Sequence, residues 1–218
     1  MADRWATFDC YGTLIDWNGG IRAELRRVFG DDTDEAELDS LLRRYHEIER
    51  ELEKDGSLTY REVMTEAMRR LGAPPGDESG LAESLPSWEP FPEVRRALEG
   101  VRERGWKLAI LSNSDKDLIE ASKALLGVVF EETVVASEIH SYKPALMHWL
   151  EFQARTLVDR RRHVHVAASA YHDIAPALKL RIPNVWINRL EEHPLTSATR
   201  VLPDLVELPE TLDELIPS

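Results

Sequence analysis

The sequence predicts an α/β fold: a parallel sheet flanked by helices, with an all-helical stretch inserted after the first strand. Three observations predict it. Short apolar runs alternate with amphipathic stretches of helical period over most of the chain. Residues from about 17 to 88 break that alternation once and are helix-patterned throughout. Polar clusters follow the apolar runs, where the carboxyl ends of parallel strands would open onto a ligand crevice.

The first strand is expected over Trp5–Phe8 and stops at Asp9; Gly12 follows where a tight turn can form. Helical period then runs over Ile21–Phe29, Glu35–Leu52 and Tyr60–Leu71. Gly72-Ala73-Pro74-Pro75-Gly76 interrupts it before a shorter helix over Leu81–Leu85. Linkers are expected near Asp16–Gly20 and Pro86–Pro92. The predicted division is therefore a core of residues 1–16 and 89–218 and a helical cap of residues 17–88.

An amphipathic stretch, Pro92–Arg104, stops at Gly105 and leads to a second strand over Lys107–Leu111. Ser112-Asn113-Ser114-Asp115 and a helix over Lys116–Leu126 come next. A third strand, Thr133–Ala136, precedes Ser141-Tyr142-Lys143-Pro144 and another helix. A fourth, His163–Ala168, runs into Ser169-Ala170-Tyr171-His172-Asp173 and a helix through Leu180. A fifth, Asn184–Asn188, ends at Arg189, and Asp204–Glu207 is the expected last short strand.

The 218 residues are enough for one core with a sizeable insertion. The net charge of -13 repels nucleic acid and anionic membrane surfaces, so neither is an expected partner. A small anionic substrate would have to be held by local donors. Cys10 is the single cysteine, which rules out an intramolecular disulfide and points to a reducing compartment. No apolar run is long enough to span a bilayer and the first residues lack a signal-type segment, so a cytoplasmic enzyme is expected.

Asp9 with Thr13, Ser112 with Asn113, Lys143, and Asp173 are the candidate chemical groups. Each has an ordinary reading by itself: a strand-end Asp or a Ser-Asn pair often caps a helix, and a lysine is often solvated. Together they would bring two carboxylates, an ammonium and several donors to one face of one sheet. A carboxylate nucleophile needs that company. Lys143 would favour ionised Asp9, Thr13 and Ser112 would hold its rotamer, and Asp173 would orient or deprotonate water to hydrolyse an ester on Asp9.

Phe8-Asp9-Cys10-Tyr11-Gly12-Thr13-Leu14 resembles the first motif of the haloacid dehalogenase superfamily. Leu111-Ser112-Asn113, Tyr142-Lys143-Pro144 and a late strand ending in Asp173 continue the match in order. The resemblance implies a Rossmann-like core with a helical cap. Phosphatases of this superfamily usually carry a second Asp two residues after the nucleophile, as the acid that protonates the leaving group. Tyr11 stands there instead, and a halide needs no proton. Asp-x-Tyr-Gly-Thr-Leu and Trp186-Ile187-Asn188-Arg189 resemble the type II L-2-haloacid dehalogenases.

That resemblance implies metal-independent hydrolysis of short 2-haloacids through an aspartyl ester on Asp9, with no cofactor. Lys143 would hold Asp9, and Ser112 with backbone amides near Tyr11 would bind the substrate carboxylate. Asn113 and a cap residue would steady the halide. Arg44 is the cap candidate, with Tyr45 and His46 as alternatives on the same helix, and Trp17 would line the apolar side of the pocket. Relatives are often dimers, so a homodimer is implied. The alternative is a magnesium-dependent phosphatase acting on a small phosphorylated metabolite through the same Asp9, with Asp9 and Asp173 on the metal. A binding protein without turnover is the third reading.

The sequence departs from the pattern in several places. Ala168-Ser169-Ala170 replaces the Ser-Ser-Asn that well-studied dehalogenases carry before the last Asp, leaving Ser169 and His172 as substitutes. Arg181 stands where relatives commonly have a helix-ending glycine, a position that often needs positive φ. Met147 and Trp149, after the lysine motif, are expected to pack in the core.

Overall fold

The computed structural model describes residues 3–30, 33–193 and 197–218. Residues 1–2 and 194–196 of the expected core, and 31–32 of the expected cap, lie outside the described residues. Strand β1 (Arg4–Phe8) is followed by helices α1 (Trp17–Phe29), α2 (Glu35–Leu52), α3 (Tyr60–Leu71) and α4 (Gly80–Ser84). The alternation then begins: α5 (Val94–Glu103), β2 (Trp106–Ser112), α6 (Lys116–Leu126), β3 (Glu132–Val135), α7 (Ala136–Ile139), α8 (Met147–Thr156) and β4 (His163–Ala167). The chain closes with α9 (Ala175–Lys179), β5 (Asn184–Ile187), β6 (Arg200–Leu202) and α10 (Leu208–Leu215).

The strands form one six-stranded sheet in the order β3-β2-β1-β4-β5-β6, every pairing parallel. The strands are apolar on both faces because helices cover both. Ala6, Phe8, Leu108, Ile110, Val164 and Val166 face one buried cluster, which α5, α6 and α10 line. Trp5, Ala109, Leu111 and Val134 face the other, with Trp149 and Phe152 of α8 and Ala177 of α9. Trp149 is buried there, while Met147 stands outside, 45% exposed.

The helical stretch hangs from two antiparallel connections at the carboxyl end of β1. Asp16 N donates to Glu89 O (2.9 Å) and Phe91 N to Leu14 O (3.0 Å). Its apolar faces, with Leu25, Leu38, Tyr45, Met64 and Met68, run on into the first cluster. No described helix is long and apolar enough to cross a membrane.

Two boundaries correct the sequence expectation. The last strand is Arg200–Leu202, not Asp204–Glu207: Asp204 Oδ1 accepts the Val206 amide (2.8 Å), so those residues turn instead of extending. Ala136 begins α7 and does not end the third strand. The expected special backbone at Arg181 is present, at φ 57°.

Candidate active site

The strand order reverses beside β1, and the chemical groups sit at the carboxyl ends of β1, β2 and β4 around that point. Asp9 follows β1, Ser112 ends β2, Asn113 comes just after it, and Asp173 lies in a π-helical turn after β4 (Ala170–Ile174). Lys143 reaches them from the loop between α7 and α8 and is 2% exposed.

Lys143 Nζ donates to Asp9 Oδ1 (2.8 Å), Asp173 Oδ1 (2.7 Å) and the Leu111 carbonyl (2.9 Å). All three protons of the ammonium are used, which fixes it between the two carboxylates. The other Asp9 oxygen accepts from Thr13 Oγ1 (2.7 Å), whose own oxygen accepts the Ala168 amide (2.9 Å). Both Asp9 oxygens are thus held by donors. Asp173 Oδ1 also accepts from His165 Nε2 (3.0 Å), while Asp173 Oδ2 has no partner among the described residues.

The charges of this trio follow from burial and proximity. Burial raises the Asp9 carboxyl above its ordinary value, and Asp173 adds to the effect, against the hydrogen bonds of Lys143 and Thr13. Burial also opposes ionisation of Asp173, but the Lys143 ammonium and the His165 hydrogen bond overcome it and hold that carboxyl well below the usual range. Burial alone would depress Lys143. The two carboxylates outweigh it and keep the ammonium charged.

Asn113 serves a different purpose from the one expected. Its Oδ1 accepts the Lys143 amide (2.6 Å), and its Nδ2 donates to the Lys143 carbonyl (3.1 Å) and to Glu53 Oε2 (3.3 Å). Both faces of the amide are occupied, so Asn113 clamps the Lys143 backbone and is not free to face a halide. Ser112 is buried, its carbonyl accepts from His148 Nε2 (3.0 Å), and its hydroxyl has no partner among the described residues. Tyr11 turns away from Asp9: its hydroxyl meets Ser122 Oγ (3.0 Å), and its ring stacks on Tyr60 and meets the edge of Trp88.

The cap candidate must be corrected. Arg44 lies on the exposed side of α2 and makes no hydrogen bond or ion pair among the described residues. Helical spacing puts Tyr45 and Glu49 on the buried side instead. Tyr45 and Tyr60 hydroxyls both donate to Glu49 Oε1 (3.2 and 2.9 Å), and Trp17 Nε1 donates to the Tyr60 oxygen (3.2 Å). Trp17 therefore does join the network of the helical stretch. His46 lies against the Trp17 ring with centroids 4.4 Å apart.

Glu53, His165 and Arg189 also belong to the site or its support, and sequence reading passed over the first two. Thr7 Oγ1 bridges His163 Nε2 (2.7 Å) and His165 Nδ1 (2.8 Å), so a buried chain runs under the floor of the site to Asp173. Two histidines at alternate positions of an otherwise apolar strand were the available signal. Arg189 donates to the Thr13 carbonyl (3.0 Å), pairs with Glu93 (2.6 Å) and lies 3.7 Å over the Phe91 ring, bracing the turn after the nucleophile. Glu53 carries no sequence signal, since it lies in a run rich in acids.

Asp9 and Asp173 are the two side chains that would hold a divalent cation, and the Lys143 ammonium bridges them. Among the described residues no group of three or more His, Cys, Asp or Glu side chains is gathered for a metal.

The chain matches the family model for haloacid dehalogenase-like hydrolases over residues 4–148. It is 30% identical to an (S)-2-haloacid dehalogenase of Pseudomonas sp. (strain YL), over 84% of this chain and 81% of that one. It is 29% identical to haloacetate dehalogenase H-2 of Moraxella sp. (strain B), over 84% of each. The solved L-2-haloacid dehalogenase RSc1362 superposes with a TM-score of 0.85 at 21% identity, covering 98% of this chain and 100% of that one. With the strand-end aspartate, the buried lysine and the second aspartate in one hydrogen-bonded trio, these matches make the chain a member of the haloacid dehalogenase-like hydrolase family.

Proposed function

We propose that the protein hydrolyses the carbon–halogen bond of short 2-haloacids without a metal, through an ester on Asp9, with residues 17–88 as the cap domain over the site. The observation that carries this reading is Tyr11. Its hydroxyl is turned to Ser122, so the position two residues after the nucleophile offers no proton to a leaving group. A halide departs with its electron pair and needs none, whereas an alkoxide leaves poorly without one.

An Asp9 oxygen attacks C2 in line with the halide; the new C–O bond forms as the carbon–halogen bond breaks. Water then adds to the ester carbonyl carbon, and the ester bond breaks to give a 2-hydroxy acid and free Asp9. Asp173, ionised and with no partner on Oδ2 among the described residues, would orient that water, whose proton ends on the departing C2 oxygen. Lys143 holds both carboxylates throughout, and the Ser112 hydroxyl is the free donor for the substrate carboxylate. The (S)-2-haloacid and haloacetate activities named for the two curated relatives support the same substrate class.

Halide release from chloroacetate, fluoroacetate and L-2-chloropropionate in EDTA tests the reading, with Asp9→Asn as the control. Release by the native chain that vanishes in the variant is expected. No release, with magnesium-dependent cleavage of p-nitrophenyl phosphate, would transfer the protein to the phosphatases.

A further inference from the structure

Among the described residues the helical stretch presents no cation to this site. Arg43, Arg44, Arg50 and Lys54 are exposed, and Arg61 pairs with Asp117 on the surface. Acids stand there instead: Glu53, 8% exposed, against Asn113, and Glu49, 5% exposed, against the hydroxyls of Tyr45 and Tyr60. The Lys143 ammonium is already shared by Asp9 and Asp173. An anionic substrate therefore enters a site with more carboxyl groups than cations, and Coulomb repulsion in a buried setting would exclude it if every carboxyl were ionised.

We propose that Glu53 recognises the substrate carboxylate as a neutral acid, donating its O–H in the place where a cation would otherwise stand. The inference rests on the haloacid reading above. Glu53 lies in the 3₁₀ turn Glu53–Asp55 that follows α2. Its Oε2 accepts from Asn113 Nδ2, which leaves Oε1 without a partner among the described residues and able to carry the proton. His172 Nε2 lies 4.0 Å from Oε2, and Ser169 Oγ, which accepts the His172 amide (3.0 Å), also hydrogen-bonds with His172 Nδ1 (3.1 Å) and so fixes the ring beside Glu53.

The groups that bear on Glu53 come from every neighbouring element. Glu49 and Tyr45 lie on α2, Tyr60 on α3, Tyr142 and Lys143 on the loop before α8, and His172 and Asp173 on the π-helical turn. Burial is the largest influence and pushes the Glu53 carboxyl well above its ordinary value; Glu49 and Asp173 push the same way, and Lys143 and Asn113 oppose them. Burial also depresses His172, so it adds no fixed positive charge at neutral pH. A substrate carboxylate brought beside Glu53 would favour the protonated form further.

Propionate, an unreactive short carboxylate, is the probe. Its Kd is measured by calorimetry from about pH 5 to about pH 9 with the full chain and with Glu53→Gln and Glu53→Ala. The native Kd is expected to weaken about tenfold per pH unit above one break, as single-proton linkage requires. Glu53→Gln keeps a neutral N–H donor, so it should bind within a few-fold of the native low-pH value and lose the break. Glu53→Ala should bind about tenfold more weakly at low pH. Should the variants misfold by circular dichroism, the native chain alone decides: above the break, propionate must bind with uptake of one proton, read from two buffers of different ionisation heat. Parallel weakening of native and Glu53→Gln, native-like binding by Glu53→Ala, or no proton uptake would overturn the proposal. Chloride release from chloroacetate is recorded on the same samples. Release without a Glu53-dependent break sinks only this proposal, and a break without release sinks only the dehalogenase reading.

Discussion

Lys143 shows how much of the site depends on one proton-rich group. It makes three hydrogen bonds from a side chain 1% exposed, two of them to ionisable oxygens. Lys143→Met would leave Asp9 and Asp173 buried without their counter-charge. We expect a loss of about 3–5 kcal/mol in urea unfolding and halide release below detection. Retention of native stability would show that the ammonium is not what balances the pair. The two aspartates should also separate in a pH–rate profile. Asp9, with its raised carboxyl, must be ionised to attack, so kcat/KM should fall on the acid side with a midpoint above the ordinary 3.8. Asp173 is held ionised below that range and does not contribute to the limb. An acid limb at or below 3.8 would contradict the burial of Asp9.

At the scale of elements, the start of α3 joins the helical stretch to the sheet. Thr59 and Glu62 form a capping box there. Asp115, from the loop after β2, adds a second cap: its two oxygens accept the amides of Tyr60 and Arg61, each at 3.0 Å. Those amides are among the orphan donors of a helix N-terminus, and the carboxylate also suits the positive end of the dipole. Asp115→Ala should cost about 1–2 kcal/mol in urea unfolding and increase amide exchange at the start of α3. If exchange there stays at the native rate, the capping box alone holds the helix and the tie to the core is incidental.

The whole molecule has a pH dependence of stability written into its histidines. Burial, with help from Lys143, depresses His148 from 6.5 to about 3, and burial with His165 does the same to His163. Both are neutral in the fold and take up protons on unfolding once the pH is below 6.5. Their contribution is therefore complete above pH 6.5 and is lost as the pH falls toward about 3. The thermal midpoint should drop across that window at constant salt. The raised carboxyls of Glu53 and Asp9 act with the opposite sign, so the comparison is with His148→Gln and His163→Gln. A midpoint whose fall with pH is the same in both variants as in the native chain would show that neither histidine is held neutral by the fold.

Much of this protein was legible in its sequence. Apolar runs with period and length suited to buried parallel strands set the sheet. Asp9 and Asp173 stand out in the sequence because they come after strands in a fold whose ligands gather at strand ends, whereas Lys143 follows the short helix α7 and reaches the site from its loop. The last strand was misplaced because Asp204 and Leu205 suit either a turn or an edge strand, and only the pairing of Arg200–Leu202 with β5 decides it. The partners of long polar side chains were the least legible part. Asp115 stands at the N-cap position of α6 yet gives its carboxylate to α3, some fifty residues earlier in the chain. Arg44 and Glu49 share one helix, and its rotation against the core sends the base to solvent and the acid to the site. Periodicity and strand ends are local properties that a sequence carries in itself. Which charge faces which is a sum over neighbours brought together from distant segments, and only the packed structure determines it.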